Sequence, residues 1–204
     1  MKENVKNKID LGAGVASYPM PVVLVGAIVK GKPNFLANGF FVNAGYKPPK
    51  VAAVLNKAHY TNQGIRENKT FSVCIPSESM VEATDYCGLV SGSRVDKSRV
   101  FDVFYGKLKT APMIAECPVN LECKLDRIVD TGQQHEMFIG EVVSTYTEEN
   151  YLTDGTVDLR KTKPFVLAPI LLARALLHKD LMYYTLGKPK GKAFSVGKNF
   201  KTNK

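Results

Sequence analysis

The segment Asn56-Lys57-Ala58-His59-Tyr60-Thr61 joins an apolar run, VAAVL, to a polar stretch of helical character. Within six positions it carries amide, ammonium, imidazole and hydroxyl groups. A strand-to-helix junction leaves backbone N–H groups free at the positive end of a helix dipole, an arrangement that suits phosphate. A capped helix beside a solvated lysine has the same composition, so the segment alone supports both readings. Ser91-Gly92-Ser93-Arg94-Val95-Asp96-Lys97 is a second candidate. Its glycine permits close backbone approach and Lys97 adds charge, although an exposed loop reads alike. Asn34 and Asn38 flank an apolar segment, and His135 opens another, where it reads equally as a surface histidine. Cys87 reads as a packed thiol or, beside a redox group, as a reactive one.

Other chemistries find no support. Gly12-Ala13-Gly14 lacks the third glycine of a dinucleotide fingerprint and follows no strand. There is no GxxxxGK[ST] phosphate loop and no GxSxG nucleophile elbow. The three histidines lack HxxxH spacing, and Cys74, Cys87, Cys117 and Cys123 form no CxxC pair, which argues against metal and thioredoxin-type sites. No catalytic acid–base pair stands out.

These residues need strands to hold them. Pro21–Lys30 is β-branched and ends at the turn signal Gly31-Lys32-Pro33-Asn34. Phe35–Val42 reads as a second strand, Val51–Leu55 as a third and Phe71–Ile75 as a fourth. A helix is expected from Thr61, with Thr61 as its cap, and another over Ser77–Gly88, capped by Ser77. Val119–Val129 alternates apolar and polar, Glu136–Tyr146 follows, and Asp130–Gln134 between them predicts a hairpin. Short strands with few helices predict a mainly β, antiparallel barrel rather than βαβ units. Pro164–Leu177 is strongly apolar and suits either core packing or a subunit interface.

The 204 residues carry a net charge of +9. Three lysines lie within Met1–Lys8 and six, with no acid, within Gly187–Lys204, so much of the excess sits near the ends. The apolar runs are too short to span a bilayer, the N-terminus lacks a signal-peptide core, and free thiols suit a reducing cytoplasm.

Five stretches fall in a familiar order: YPMPVVLVGAIVKGKPNFLANGFF from Tyr18, AHYTNQGIRENKTFSVCIPS from Ala58, DYCGLVSGSRVDKSRVF from Asp85, QQHEMFIGEVV from Gln133 and YYTLGKPKGKAFSVGK from Tyr183. With these the chain resembles the flavin-reductase-like FMN-binding split barrels, in their flavoredoxin-like branch. The resemblance implies a six-stranded antiparallel Greek-key split β-barrel with helical insertions, spanning 18–150. An N-terminal extension (1–17) precedes it, and a C-terminal extension (151–204) completes the core and a homodimer interface. It implies FMN bound by Asn34, Leu36, Ala37, Asn38, Gly39 and Phe40 around the isoalloxazine, and by Asn56, Lys57, His59 and Thr61 at the ribityl and phosphate tail. Ser91, Lys97 and His135 complete the set. Phe40 stands where related proteins often carry Trp. Lys97, then His135, are expected to place positive charge or a donor near the flavin and raise its potential.

Three functions follow as expectations. The first is an FMN-dependent oxidoreductase taking electrons from NAD(P)H or a protein donor to flavin, ferric iron or another acceptor. The second is an FMN electron carrier without NAD(P)H turnover. The third, a nucleic-acid-binding barrel, rests on charge alone, and the absence of an aromatic stacking pattern argues against it.

Overall fold

Alternation decides the barrel. The computed structural model describes residues 17–170 and 180–198, together with 8 and 13. Its strands are β1 (Met20–Pro21), β2 (Val23–Val29), β3 (Lys32–Asn38), β4 (Phe41–Tyr46), β5 (Pro49–Asn56), β6 (Thr70–Ile75), β7 (Val103–Phe104), β8 (Met113–Ile114), β9 (Val119–Asp130), β10 (His135–Thr147), β11 (Leu152–Thr153), β12 (Thr156–Val157), β13 (Phe165–Pro169) and β14 (Leu181–Thr185). Helices α1 (Thr61–Asn68), α2 (Val81–Leu89) and α3 (Leu159–Thr162) interrupt them. The main sheet runs β3-β2-β6-β9-β10-β5-β4, antiparallel throughout. It holds seven strands where six were expected, because β4 adds itself to the edge of β5.

Successive side chains of a strand point to opposite faces. Val23, Val25 and Ala27 of β2 therefore meet Val51, Ala53 and Leu55 of β5, with Phe71, Cys123 and Phe138, in the barrel interior. Leu24 on the other face of β2 joins Phe35, Cys74, Cys87, Met113 and Ile114 in a second core beneath α2 and the 101–117 segment. Both faces of β2 are thus buried, as its near-continuous apolar run requires. On β9 the same alternation turns Asn120 and Glu122 into the second core. Their oxygens accept the amides of Ile114, Lys107 and Leu108, which removes the penalty of burying them.

Two expected elements differ. The second strand breaks after Asn38, whose side chain accepts from Phe40 N and donates to Phe40 O, closing a local turn in competition with the ladder. The chain bends there and runs on from β3 at one edge of the sheet into β4 at the other, in the same sense. Neither expected cap forms: Tyr60, not Thr61, precedes α1, and Ser77 opens only a 3₁₀ turn, Glu78–Met80, ahead of α2. Thr61 and Ser77 make no capping bond because other hydroxyl and amide groups hold them, Asn34 in one case and Ser79 in the other.

α1 lies against β2 and β6 through Ile65, which is fully buried in the barrel core. Burying such a side chain contributes about 1.5–3 kcal/mol. Gly64 permits the approach: a Cβ there would lie 2.1 Å from Ile28 O. Asn68 fastens the far end by donating to Ile28 O at 2.9 Å. At the near end Asn62 donates to Asn56 O at 2.9 Å and to Glu136 at 3.1 Å, and Arg66 pairs with Glu136. The ends of β5, α1 and β10 are therefore tied at one corner.

A smaller sheet, β1-β13-β14, covers the turn at Gly39: Met20 and Leu167 stand where its Cβ would project. Phe165 packs edge-on against Tyr183, whose hydroxyl donates to Asp85 of α2 at 2.7 Å. Of the apolar stretch Pro164–Leu177, residues 171–177 lie outside the described residues. No helix among the described residues is long and apolar enough to cross a membrane.

Candidate functional site

Three clefts adjoin one another along the rim of the barrel. The first, about 300 Å³, lies between the β3–β4 turn and the small sheet. Ala37, Asn38, Gly39 and Phe40 form one wall, Met20, Leu167 and Leu181 the other, with Asn56, His59 and His135 along the floor. It carries no formally charged side chain apart from what its histidines supply. The second, about 250 Å³, is lined by Asn34, Leu36, His59, Tyr60, Thr61 and Lys97 and closed by the segment Gly88–Gly92. His59 belongs to both. The third, about 380 Å³, continues past Asn34, Tyr60, Gly92 and Lys97 toward the β2–β3 hairpin.

The middle cleft is built around one bond. Asn34 Nδ2 donates to Thr61 Oγ1 at 2.7 Å, joining β3 to the first turn of α1. Both residues are buried. With a lone pair so used, the Thr61 hydroxyl keeps its proton for an acceptor in the cleft. Of the first amides of α1, those of Asn62 and Gln63 donate to His59 O at 3.2 Å and Tyr60 O at 3.3 Å, and the turn carries the positive end of the helix dipole. Gly92 lets the 91–96 turn close on Asn34, since a Cβ there would stand 1.8 Å from Asn34 Oδ1.

Lys97 is only 2% exposed. Its ammonium donates to Phe35 O at 3.0 Å and to Cys87 O at 2.6 Å, bridging β3 and the last turn of α2. Those two bonds leave one of its three donors for the clefts it lines. Burial lowers its pKa from the ordinary lysine range. Burial, and then the charges of Lys97 and His135, also lower His59, so its imidazole is held neutral near pH 7. His59 Nδ1 is buried and without a partner in the chain, an orphan polar atom at the junction of the first two clefts. His135 packs tilted against Phe40 with ring centroids 6.0 Å apart.

The structure thus gathers most of the expected residues. Ala37, Asn38, Gly39, Phe40, Asn56 and His135 line the first cleft, Asn34, Leu36, Thr61, Ser91 and Lys97 the second, and His59 both. The Asn56 side chain is engaged locally, accepting Ala58 N at 2.9 Å. Lys57 stands apart: it pairs with Asp130 at 2.9 Å on the β9–β10 hairpin and lines none of these clefts. All four cysteines are free and buried. Burial raises the Cys87 thiol to about 11, the behaviour of a packed rather than a reactive group. No group of His, Cys, Asp and Glu among the described residues could hold a metal ion.

Sequence reasoning missed Tyr18, Met20, Leu167 and Leu181, the opposite wall of the first cleft. They come from both ends of the chain and become neighbours only when β1 pairs with β13. Tyr60 and the Gly88–Leu89 corner were missed too, although both lie inside segments whose neighbours were singled out.

The arrangement fits a flavin. A slot without Lys, Arg, Asp or Glu in its lining, between Phe40 and the small sheet, suits a flat ring system. Beside it are a buried imidazole nitrogen lacking a partner, a hydroxyl with a spare proton, a helix N-terminus and a glycine cradle, all suited to a polyol and a phosphate.

Comparison with known proteins agrees. Residues 15–186 match the model of the flavin reductase like domain. The crystal structure of a flavoredoxin from Methanosarcina acetivorans is 45% identical, with a TM-score of 0.87 over 94% of this chain and 98% of that one. A flavoredoxin of Desulfovibrio vulgaris is 33% identical, with a TM-score of 0.81 over 94% of this chain and all of that one. An NADH-dependent FAD reductase from Streptomyces globisporus is 25% identical over 68% of this chain and 76% of its own length. With its split-barrel fold and the clefts described above, the chain belongs to the flavin reductase-like domain family, in the flavoredoxin-like branch, and its function is flavin-dependent redox chemistry.

Proposed function

We propose that this chain binds FMN non-covalently, with the ring system in the first cleft and the ribityl phosphate in the second, and moves electrons through it as a homodimer. The observation that carries the reading is the continuity of the two clefts through His59, with the Asn34–Thr61 bond at the head of α1. FMN supplies hydride and single-electron transfer; the chain binds, orients and shields it. Neutral His59 offers Nδ1 to the polyol without adding charge. Thr61 and the first turn of α1 take the phosphate. Phe40, with His135 behind it, backs the ring, and Met20, Leu167 and Leu181 keep water from it. Lys97 anchors β3 to α2, fixing Phe35–Ala37, and lines the cleft that takes the ribityl phosphate.

Electrons enter from NAD(P)H or a redox protein and leave to free flavin, ferric iron or another acceptor. Likeness to a protein described as an NADH-dependent FAD reductase supports the nicotinamide route. The stronger likeness to two flavoredoxins supports a second reading, a carrier without NAD(P)H turnover. The test is the absorbance spectrum of the isolated protein, followed by FMN titration of stripped protein and anaerobic mixing with NADH and NADPH separately. Yellow protein that bleaches with a nicotinamide nucleotide supports the first reading, and yellow protein that bleaches only with a reduced protein donor supports the second. Colourless protein that takes up no FMN refutes both.

A further inference from the structure

Lys30, Lys69 and Lys109 have positive φ, at 50°, 57° and 57°, in the left-handed region that ordinarily favours Gly or Asn. The fold brings all three to one end of the barrel. Lys69 follows Asn68, which donates to Ile28 O at 2.9 Å, two residues before Lys30. It also precedes Thr70, whose hydroxyl bonds that of Thr110, next to Lys109, at 2.7 Å. Lys124 stands opposite Thr70 in the β6–β9 register, Lys107 lies in the same loop as Lys109, and Lys32 shares the β2–β3 hairpin with Lys30. All six lysines are exposed. Of the six, only Lys32 forms an ion pair among the described residues, with Asp96 at 3.7 Å. Neighbouring acids are mostly committed elsewhere. Asp96 accepts the Ser98 hydroxyl at 2.6 Å, Glu122 accepts the amides of Lys107 and Leu108 at 3.0 and 2.7 Å, and Lys50 holds Asp126 at 2.8 Å. Glu67 and Glu141 are left to face the cluster. Like charges gathered in this way repel, and a lysine in the left-handed region adds backbone strain. Ion pairs within the chain offset neither cost at Lys30, Lys69 or Lys109.

These lysines stand on a hairpin tip, a helix end, a loop and a strand. Lys69, Lys107, Lys109 and Lys124 line none of the three clefts. Nothing stands within 4 Å of where a Cβ of Gly31 would project, so the hairpin tip protrudes. Charge spread over a protruding surface suits the face of another protein better than a small anion, which needs convergent donors. The surface also runs up to the flavin site, because Lys32 is two residues, about 7 Å, along β3 from Asn34. We propose that this end of the barrel docks an acidic redox protein, which exchanges single electrons with the bound flavin. The proposal rests on the flavin reading above and gives its protein partner a surface and a charge. Attraction between the two faces raises the rate of encounter and holds the partner beside the clefts. In each productive encounter the partner's reduced centre loses one electron and the flavin gains it.

The test is stopped-flow reduction of the FMN-loaded protein by flavodoxin hydroquinone, an acidic one-electron donor that becomes its semiquinone, at low and high ionic strength. The variant is Lys30→Asn, Lys69→Asn, Lys109→Asn. Asn is tolerated at left-handed positions, and circular dichroism checks that the variant folds. A control, Lys161→Gln with Lys163→Asn, removes cations beyond the opposite end of β6, where Lys163 pairs with Glu78. At low salt the variant is expected to react about tenfold or more slowly than the parent, and the control within about twofold of it. High salt is expected to bring the parent down to the variant's rate. Reduction by dithionite and affinity for FMN stay within about twofold throughout, since no flavin contact is touched. The proposal is overturned if the variant reacts as fast as the parent, if the control slows as much as the variant, or if salt leaves the rate unchanged. Duplex DNA binding that the variant loses while it keeps its flavodoxin rate assigns the lysines to nucleic acid and overturns it too. Failure of the underlying flavin reading has a different signature, stripped protein that takes up no FMN. Calorimetric titration of that stripped protein with oxidised flavodoxin still reads the docking surface, which is refuted if parent and variant bind alike.

Discussion

Replacing Thr61 by alanine tests the middle cleft most directly, because one hydroxyl is asked to do two things. It accepts Asn34 Nδ2 at 2.7 Å, and both residues are buried, at 1% and 4% exposure. Its proton is assigned to the FMN phosphate. Removing the hydroxyl strands the Asn34 N–H in a buried place, which costs about 1–3 kcal/mol of apoprotein stability. For a chain of this size that lowers the melting temperature by about 2–4 °C per kcal/mol. Separately, a lost hydrogen bond to a charged group weakens binding by about 1.5–3 kcal/mol, or roughly 10–150-fold in Kd. The assay is quenching of FMN fluorescence on titration with stripped protein, alongside thermal unfolding of the same preparations. Thr61→Ser keeps the hydroxyl and is expected to restore affinity to within a few-fold, whereas Thr61→Val should resemble alanine. A Thr61→Ala protein that melts early yet binds FMN with unchanged Kd would show that the hydroxyl serves Asn34 alone, and would remove Thr61 from the phosphate site.

Other outcomes follow from the same geometry. Gly92→Ala should cut FMN affinity at least tenfold while leaving far-UV circular dichroism unchanged, because the new Cβ lands on Asn34 Oδ1; undisturbed binding would show that the turn is free to move. Apoprotein stability should rise with pH up to His59's ordinary value near 6.5 and be flat beyond it as far as this residue is concerned. Its folded pKa is lowered, so between the two values the unfolded chain binds the extra proton. A His59→Gln variant whose stability keeps the same acid slope would refute this. Lys97→Met should lower stability by about 2–4 kcal/mol through the lost bonds to two carbonyls, offset in part by recovered desolvation, and should also lower the flavin midpoint potential. A potential that stays put would confine Lys97 to anchoring. Native protein at pH 8 should react with a thiol reagent far more slowly than unfolded protein, since Cys87 is buried with its pKa raised to about 11.

What the amino-acid order determined by itself was chiefly local. Period-two alternation in 119–125, the β-branched run before Gly31 and the 130–134 turn dictate strands and hairpins wherever the rest of the chain goes, because each depends on the backbone and its nearest neighbours. The ordered motifs single out Asn34, His59, Thr61 and Lys97, and in the fold these four line one cleft. Tertiary structure decided which atoms were already spoken for. Lys57 looks like a phosphate ligand until the β9–β10 hairpin brings Asp130 to it. Thr61 looks like a helix cap until β3 delivers Asn34. Lys97 looks like an exposed loop cation until α2 and β3 bury it between two carbonyls. The wall of Met20, Leu167 and Leu181 exists only because strands from opposite ends of the chain pair. Side-chain chemistry is legible one residue at a time, but a hydrogen bond has a single geometry and few vacancies, and only long-range packing chooses which partner fills them.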